Sequence, residues 1–253
     1  MIEIIGLHKK FNNATVLDGL SLNIEKGQTC VIIGRSGCGK SVLLKHIVGL
    51  LKPDSGKVLV DRKEVGVLDE AELDSLRSKI SMVFQGGALF DSMNVAENVG
   101  FSLIEYTRLG YKEIMNRVEE SLSLVGLGGI GNLMPAELSG GMKKRVALAR
   151  AICIRPEVIL YDEPTTGIDP IAADSINSLI RSLHDKLKVT SIVVTHDMKS
   201  AYHIADKIAM MYKGRIVIEG SPREIRESHN PVVHQFINGL AKGPITEAVD
   251  TFK

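Results

Sequence analysis

The chain is poor in cysteine, almost without net charge, and free of long apolar runs. Each shortage excludes a class of protein. Cys30, Cys38 and Cys153 are odd in number and scattered through 253 residues. That pattern fits a reducing cytoplasm and argues against a disulfide scaffold or a zinc site. Lysine plus arginine number 31 and aspartate plus glutamate 30, a net charge of +1, which leaves neither a nucleic-acid footprint nor an acidic tail. No apolar stretch approaches the roughly 20 residues that cross a bilayer, so a membrane process would need another chain to supply the span. Residues 1–5 lack the basic region and cleavable apolar segment of a secretory signal. Neither a repeat of fixed period nor a low-complexity tract interrupts the chain. With 44% hydrophobic and 24% charged residues, the composition is that of a globular protein able to bury one large α/β domain or two small ones.

What is present alternates between strand and helix, as expected of a mainly parallel sheet covered by helices. Residues 29–33 form a short apolar, β-branched run that feeds a glycine-rich loop. Residues 41–51 read as a helix with Leu44, Ile47, Val48 and Leu51 at helical spacing. A turn at 52–56 precedes strands at 57–60 and 80–84. Between 86 and 156 the β signal fades, and 95–106, 112–125 and 139–154 read as helices, a helical insert in an α/β core. Strands resume at 158–160 and 191–195. They flank a helix with Ile176, Leu179, Ile180, Leu183 and Leu187 on one stripe. A hairpin is expected around Lys213-Gly214, and a helical tail from Ser221 onward.

Three motifs carry chemistry. Gly34-Arg35-Ser36-Gly37-Cys38-Gly39-Lys40-Ser41 fits G-x-x-x-x-G-K-S, whose backbone N–H groups cradle phosphates at a helix N-terminus. Lys40 would reach the β and γ phosphates, and the Ser41 hydroxyl would ligate Mg²⁺. Val158-Ile159-Leu160-Tyr161-Asp162-Glu163 ends an apolar strand in two carboxylates at the sheet edge where α/β proteins bind ligands. Asp162 suits the metal, and Glu163 suits a general base for the attacking water. Ser139-Gly140-Gly141 opens a helix whose apolar stripe is Met142, Val146, Ala149 and Cys153, with Ser139 as N-cap and open N–H groups behind it. Cys38, beside Lys40 and a helix N-terminus, is expected to have a lowered thiol pKa and to block nucleotide when alkylated. The competing reading is that it is only a small residue that fits.

In this order the motifs resemble the ATP-binding-cassette (ABC) ATPases, a P-loop α/β class with a helical subdomain and a C-terminal helical tail. The likeness spans essentially the whole chain. It implies a RecA-like core at 1–86 and 157–220 with an N-terminal β region, a helical signature subdomain at 87–156, and a tail at 221–253. It implies ATP and Mg²⁺ as ligands and two copies closing around two ATP molecules, so that residues 139–141 of one copy cover the γ-phosphate bound by the other. Nucleotide contacts are carried over to Phe11 (stacked on adenine), Gly34 to Ser41, Val42, Gln85, Ser139, Gly140, Gly141 and Asp169. Metal contacts fall to Ser41, Gln85 and Asp162, and catalytic roles to Glu163, His196 and Lys40. Gln85 matches the residue that senses Mg²⁺, His196 the switch histidine, and Asp169 the aspartate that meets the opposite subunit. Met142 stands where the family usually has glutamine, which removes one polar contact.

Four stretches are most similar to the ATPases of Mla-type lipid transporters, which work with MCE-domain proteins. They are the run from Gly34 to His46, Phe84-Gln85-Gly86-Gly87-Ala88-Leu89-Phe90-Asp91-Ser92, the signature ending in Met142, and Gln235-Phe236-Ile237-Asn238-Gly239-Leu240. That likeness implies integral-membrane permease subunits, an MCE-domain partner, a small regulatory subunit, and a place at the cytoplasmic face of a bacterial inner membrane. The alternatives are an amino-acid or metal importer of the same family, or an ABC ATPase not linked to transport. Ala88, Leu89, Phe90 and Met93 are expected either to seat the permease or to pack within the helical insert. Val232, Val233, Phe236, Ile237 and Leu240 of the tail would bind a second copy, bind the regulatory subunit, or fold onto the chain's own core.

Overall fold

The computed structural model describes residues 1–246. Its centre is a six-stranded sheet of β3 (Thr29–Ile33), β6 (Ile80–Val83), β7 (Val158–Asp162), β8 (Thr190–Thr195), β9 (Lys207–Tyr212) and β10 (Arg215–Gly220), in the order β10-β9-β3-β8-β7-β6. All neighbours pair in parallel except β10, which returns antiparallel to β9 around Lys213-Gly214 as the hairpin expectation required. Strands buried on both faces read as unbroken apolar runs, and alternate residues then serve opposite layers. Val31, Ile33, Ile159, Tyr161 and Val193 enter one apolar cluster, while Cys30, Ile32, Val158, Leu160, Ile192 and Val194 enter the other.

A second sheet, order β2-β1-β4-β5, joins β1 (Ile2–Phe11), β2 (Ala14–Ile24), β4 (Ser55–Val60) and β5 (Lys63–Glu64). It closes the second cluster over α1 (Lys40–Ile47), the helix that follows the glycine-rich loop. That helix stops short of the expected residue 51. Gly49 adopts φ +70°, and the Leu50 amide turns back to the Lys45 carbonyl at 2.8 Å, a glycine-assisted C-terminal closure.

The helical insert is α3 (Val95–Tyr106), α4 (Tyr111–Leu124) and α5 (Gly140–Cys153), packed together through Val99, Leu103, Val118, Leu122, Val146 and Ala149. Met142 is only partly buried at the edge of that stripe. On the same side of the main sheet lies α6 (Pro170–Leu187), which buries Ile176, Ile180 and Leu183 while Leu187 remains exposed. After α7 (Met198–Ile204) and the hairpin come α8 (Pro222–Arg226) and α9 (Pro231–Ile237). The described part of the tail folds onto the chain's own core, with Ile225, Val233 and Ile245 buried in the first cluster and Val232, Phe236 and Ile237 packed against it. Gln235 ties its turn together, donating to the Leu240 carbonyl and the Thr246 hydroxyl (3.1 Å each) and accepting from the Ile245 amide (2.7 Å). The tail's expected last stretch, 247–253, lies outside the described residues.

Candidate active site

The phosphate-loop glycines answer to backbone demands. A β-carbon on Gly34 would sit 2.5 Å from the Met211 carbonyl oxygen and 2.9 Å from Cys38 Sγ. Gly39, at φ +108°, lies against Val16 and Leu17. The loop therefore curls between β3 and α1 with no room for side chains at those points. Lys40 is buried, and its ammonium donates to the carbonyls of Gly34 (2.7 Å) and Arg35 (3.1 Å). It is held at the centre of the loop.

Parallel β7 delivers Asp162 and Glu163 beside it. The Ser41 hydroxyl donates to Asp162 Oδ1 at 2.9 Å, which places two hard oxygen donors side by side. Burial pushes the Asp162 carboxyl above the usual carboxylate value, with the Ser41 bond pulling the other way. A half-buried carboxylate paired with a hydroxyl is a donor set that fits Mg²⁺. The bound metal would neutralise charge developing on the phosphates.

Glu163 sits just past the strand end at φ +50°, a left-handed conformation that costs a non-glycine residue about 1–3 kcal/mol. Its amide donates to the Val194 carbonyl, so sheet pairing holds the strain in place. Oε1 lies 3.5 Å from Lys40 Nζ. Oε2 faces His196 Nδ1 (2.9 Å), the Thr166 hydroxyl (3.2 Å) and the Thr195 hydroxyl (3.5 Å). A carboxylate fixed beside a phosphate cradle, with an imidazole bonded to it, has the arrangement needed to orient and deprotonate a water.

Lys40, Glu163 and His196 line one cavity of about 410 Å³, which Val16, Ser36, Gly37, Gly39, Ser41, Val42 and Gln85 complete, with Asp162 behind Ser41. The sequence reading missed Val16, which a distant strand supplies, and the two threonine hydroxyls on Glu163. Phe11 stands exposed at the end of β1 and is not part of this lining. The expectation for Cys38 is corrected. Burial pushes its thiol above the usual value, outweighing the Lys40 charge and the backbone N–H bonds that pull it down.

Nor does the chain bring its own signature turn to this cavity. Ser139 caps α5 through the Met142 amide (3.2 Å) and lines a separate hollow of about 280 Å³ with Gly141, Met142, Arg145 and Ser175. Asp169 likewise caps α6, accepting from the amides of Ile171 and Ala172 at 3.0 Å. Ile168 adjoins the signature turn, with its Cγ2 3.7 Å from the place of a Gly140 β-carbon.

Residues 17–166 match the family model described as ABC transporter. The chain belongs to the ABC transporter family. The chloroplastic protein Trigalactosyldiacylglycerol 3 of Arabidopsis thaliana is 44% identical, over 97% of this chain and 75% of its own length. The "Probable ribonucleotide transport ATP-binding protein mkl" of Mycobacterium leprae is 40% identical over 96% and 70%. The intermembrane phospholipid transport ATP-binding protein MlaF of Escherichia coli K12 is 41% identical over 92% and 87%. Among solved structures, a dimeric post-hydrolysis ATP-binding cassette bound to ADP and phosphate superposes with a TM-score of 0.80 at 34% identity, covering 88% of this chain and 99% of that one. This ABC cassette binds ATP with Mg²⁺ and hydrolyses it.

Proposed function

We propose that this ABC ATPase powers phospholipid movement through a separate membrane permease. The match to MlaF over most of both chains carries the lipid assignment. Two copies work as a pair. In support, the phosphate loop and the signature turn of one chain open on different hollows, so a turn that caps a phosphate must do so for a neighbour. Glu163 acts as general base and His196 holds its carboxylate. Asp162, Ser41 and Gln85 hold the metal, and Asp169 stands at the seam between copies.

Among the described residues no helix is long and apolar enough to cross a membrane, so the permease supplies that part. Its seat is a groove of about 270 Å³ between β6 and the helical insert, where Leu50, Met82, Phe84, Tyr106 and Ile154 stand beside the polar Arg77, Ser81 and Ser102. Ala88 and Phe90 are exposed as well, with Phe90 tilted on Phe101 at 4.9 Å. Leu89 and Met93 are half-buried, so the expected seat is shared between docking and internal packing. An MCE-domain protein, a small regulatory subunit, and the cytoplasmic face of a bacterial inner membrane complete the proposal.

The test is to isolate the chain from detergent-solubilised membranes and identify co-purifying subunits and extracted lipid. MCE-domain partners with bound phospholipid support the reading, and a periplasmic solute-binding partner would refute it. The name of the mycobacterial relative favours a second reading, ribonucleotide transport, which predicts nucleotide rather than lipid in the same complex. In either case Lys40→Ala should lose most ATP binding, and undiminished ATPase would overturn the site assignment.

A further inference from the structure

Two cations of the signature helix grip the loop that carries Gln85. The Lys144 ammonium donates to the Gln85 carbonyl. The Arg150 guanidinium forks, one nitrogen donating to the Gly87 carbonyl and the other to the Ala88 carbonyl, at 2.7 Å each. Three of four successive carbonyls therefore point at one helix. The loop backbone lies directly on it, since a β-carbon on Gly87 would sit 3.5 Å from the Lys143 carbonyl oxygen and 3.6 Å from Ala147 Cβ. Ala88, beneath the fork, adopts φ +46°, which a residue with a side chain holds only under constraint.

The chemistry of this grip is unusual. Lys144 is only 7% exposed, and among the described residues neither cation lies within ion-pair distance of a carboxylate. A buried ammonium hydrogen-bonded to one carbonyl, with the Glu163 charge acting on it only from farther off, is costly, yet that hydrogen bond is stronger than a neutral one. Removing Arg150 would take the partner from the carbonyl of buried Gly87, and removing Lys144 the partner from the Gln85 carbonyl. Such an arrangement fixes a backbone position more than it adds stability.

The position matters because of what each end touches. Gln85 lines the nucleotide cavity. At its other end α5 is one unbroken helix of 14 residues whose N-cap is Ser139. We propose that Lys144 and Arg150 form a two-cation clamp that makes Gln85, in one half-site, and the turn at 139–141, which serves the other half-site, move as one body. They are positioning residues, since neither lines the nucleotide cavity. The clamp rests on the paired-copy reading. It makes nucleotide sensed by Gln85 alter how well the same chain caps its neighbour's phosphate.

The test uses the full chain carrying Arg150→Gln or Lys144→Met, with Arg150→Lys and Lys144→Gln as conservative variants. Four measurements are made: ATP affinity of the dilute chain by nucleotide titration, kcat with its Hill coefficient, the ATP concentration for half-maximal dimer in a Glu163→Gln background by sedimentation, and the melting temperature. Expected are an affinity within about twofold of the parent and a half-dimerisation concentration raised about tenfold. With these go a kcat lowered about tenfold and a Hill coefficient near 1, all at the scale of a typical site-to-site coupling energy. Arg150→Lys, which keeps the charge but not the fork, should fall between. Unchanged dimerisation and kcat would overturn the clamp. So would a parallel fall of ATP affinity and melting temperature, the mark of a merely structural role. Should the gross variants fail to fold, Lys144→Gln alone decides by the same readings. If the Glu163→Gln parent itself stays monomeric in ATP, the paired-copy reading fails first and takes the clamp with it.

Discussion

Glu163 is held from both sides, Lys40 near one oxygen and His196 with two threonine hydroxyls at the other. Glu163→Gln keeps the size and most of these bonds but cannot accept the water's proton. ATP affinity should persist while turnover falls by roughly 10²–10⁴, checked by nucleotide titration against phosphate release. Asp162 carries a raised carboxyl pKa, so the sign runs opposite to that of an ion-paired acid. Its contribution to stability is complete below the unfolded value and is lost as pH rises through the folded one. Without nucleotide, Asp162→Asn should therefore melt higher than the parent near neutral pH, with the gap closing toward about pH 4. With Mg²⁺-ATP the parent should overtake it, because ligand stabilises only the competent site. Burial similarly makes Cys38 a poor nucleophile, and iodoacetamide followed by mass spectrometry near neutral pH should find it largely unmodified. Spacing alone exposed the phosphate loop and the paired acids, since each motif specifies its own backbone geometry. Burial around Cys38 and the hydroxyls converging on Glu163 come from chain segments far apart, and a single residue string does not display such convergence.

Most elements could be read from their internal pattern. The hairpin after β9 and the three insert helices lie within a residue or so of expectation, because glycine turns and 3.6-residue periodicity are local signals. The long β1–β2 pair was legible only as a vague β region. Both strands carry polar residues on an exposed face and bulges that break their alternation. Also unread was α2 (Glu70–Arg77), although Asp69 and Glu72 form a reciprocal capping box at its start. Asn98 shows what such reading overlooks. Fully buried on α3, it accepts from the Phe90 amide and donates to the carbonyls of Phe90, Met93 and Asn94, fixing the loop beside the proposed permease seat. Asn98→Leu would leave the Phe90 amide and the Met93 carbonyl without these partners, at roughly 1–3 kcal/mol each, readable as a lowered urea midpoint.

At the scale of the molecule, the tail is part of the fold. Cutting after Gly220 would expose Ile225, Val233 and their cover, worth roughly 1.5–3 kcal/mol per buried aliphatic side chain and comparable in sum with a domain's whole margin. The shortened chain should aggregate or melt far below the parent in calorimetry. Intact melting would show that the tail's packing is incidental. Any test of its role in assembly therefore needs point substitutions rather than truncation. The left-handed backbone at Glu163 has a comparable consequence for engineering. Glycine there would relieve the conformational penalty while discarding the reacting carboxylate. A mutant library sorted for heat resistance alone would enrich that replacement and fill with sturdy, inert cassettes. Thermostabilising this motor requires a catalytic readout in every round of selection.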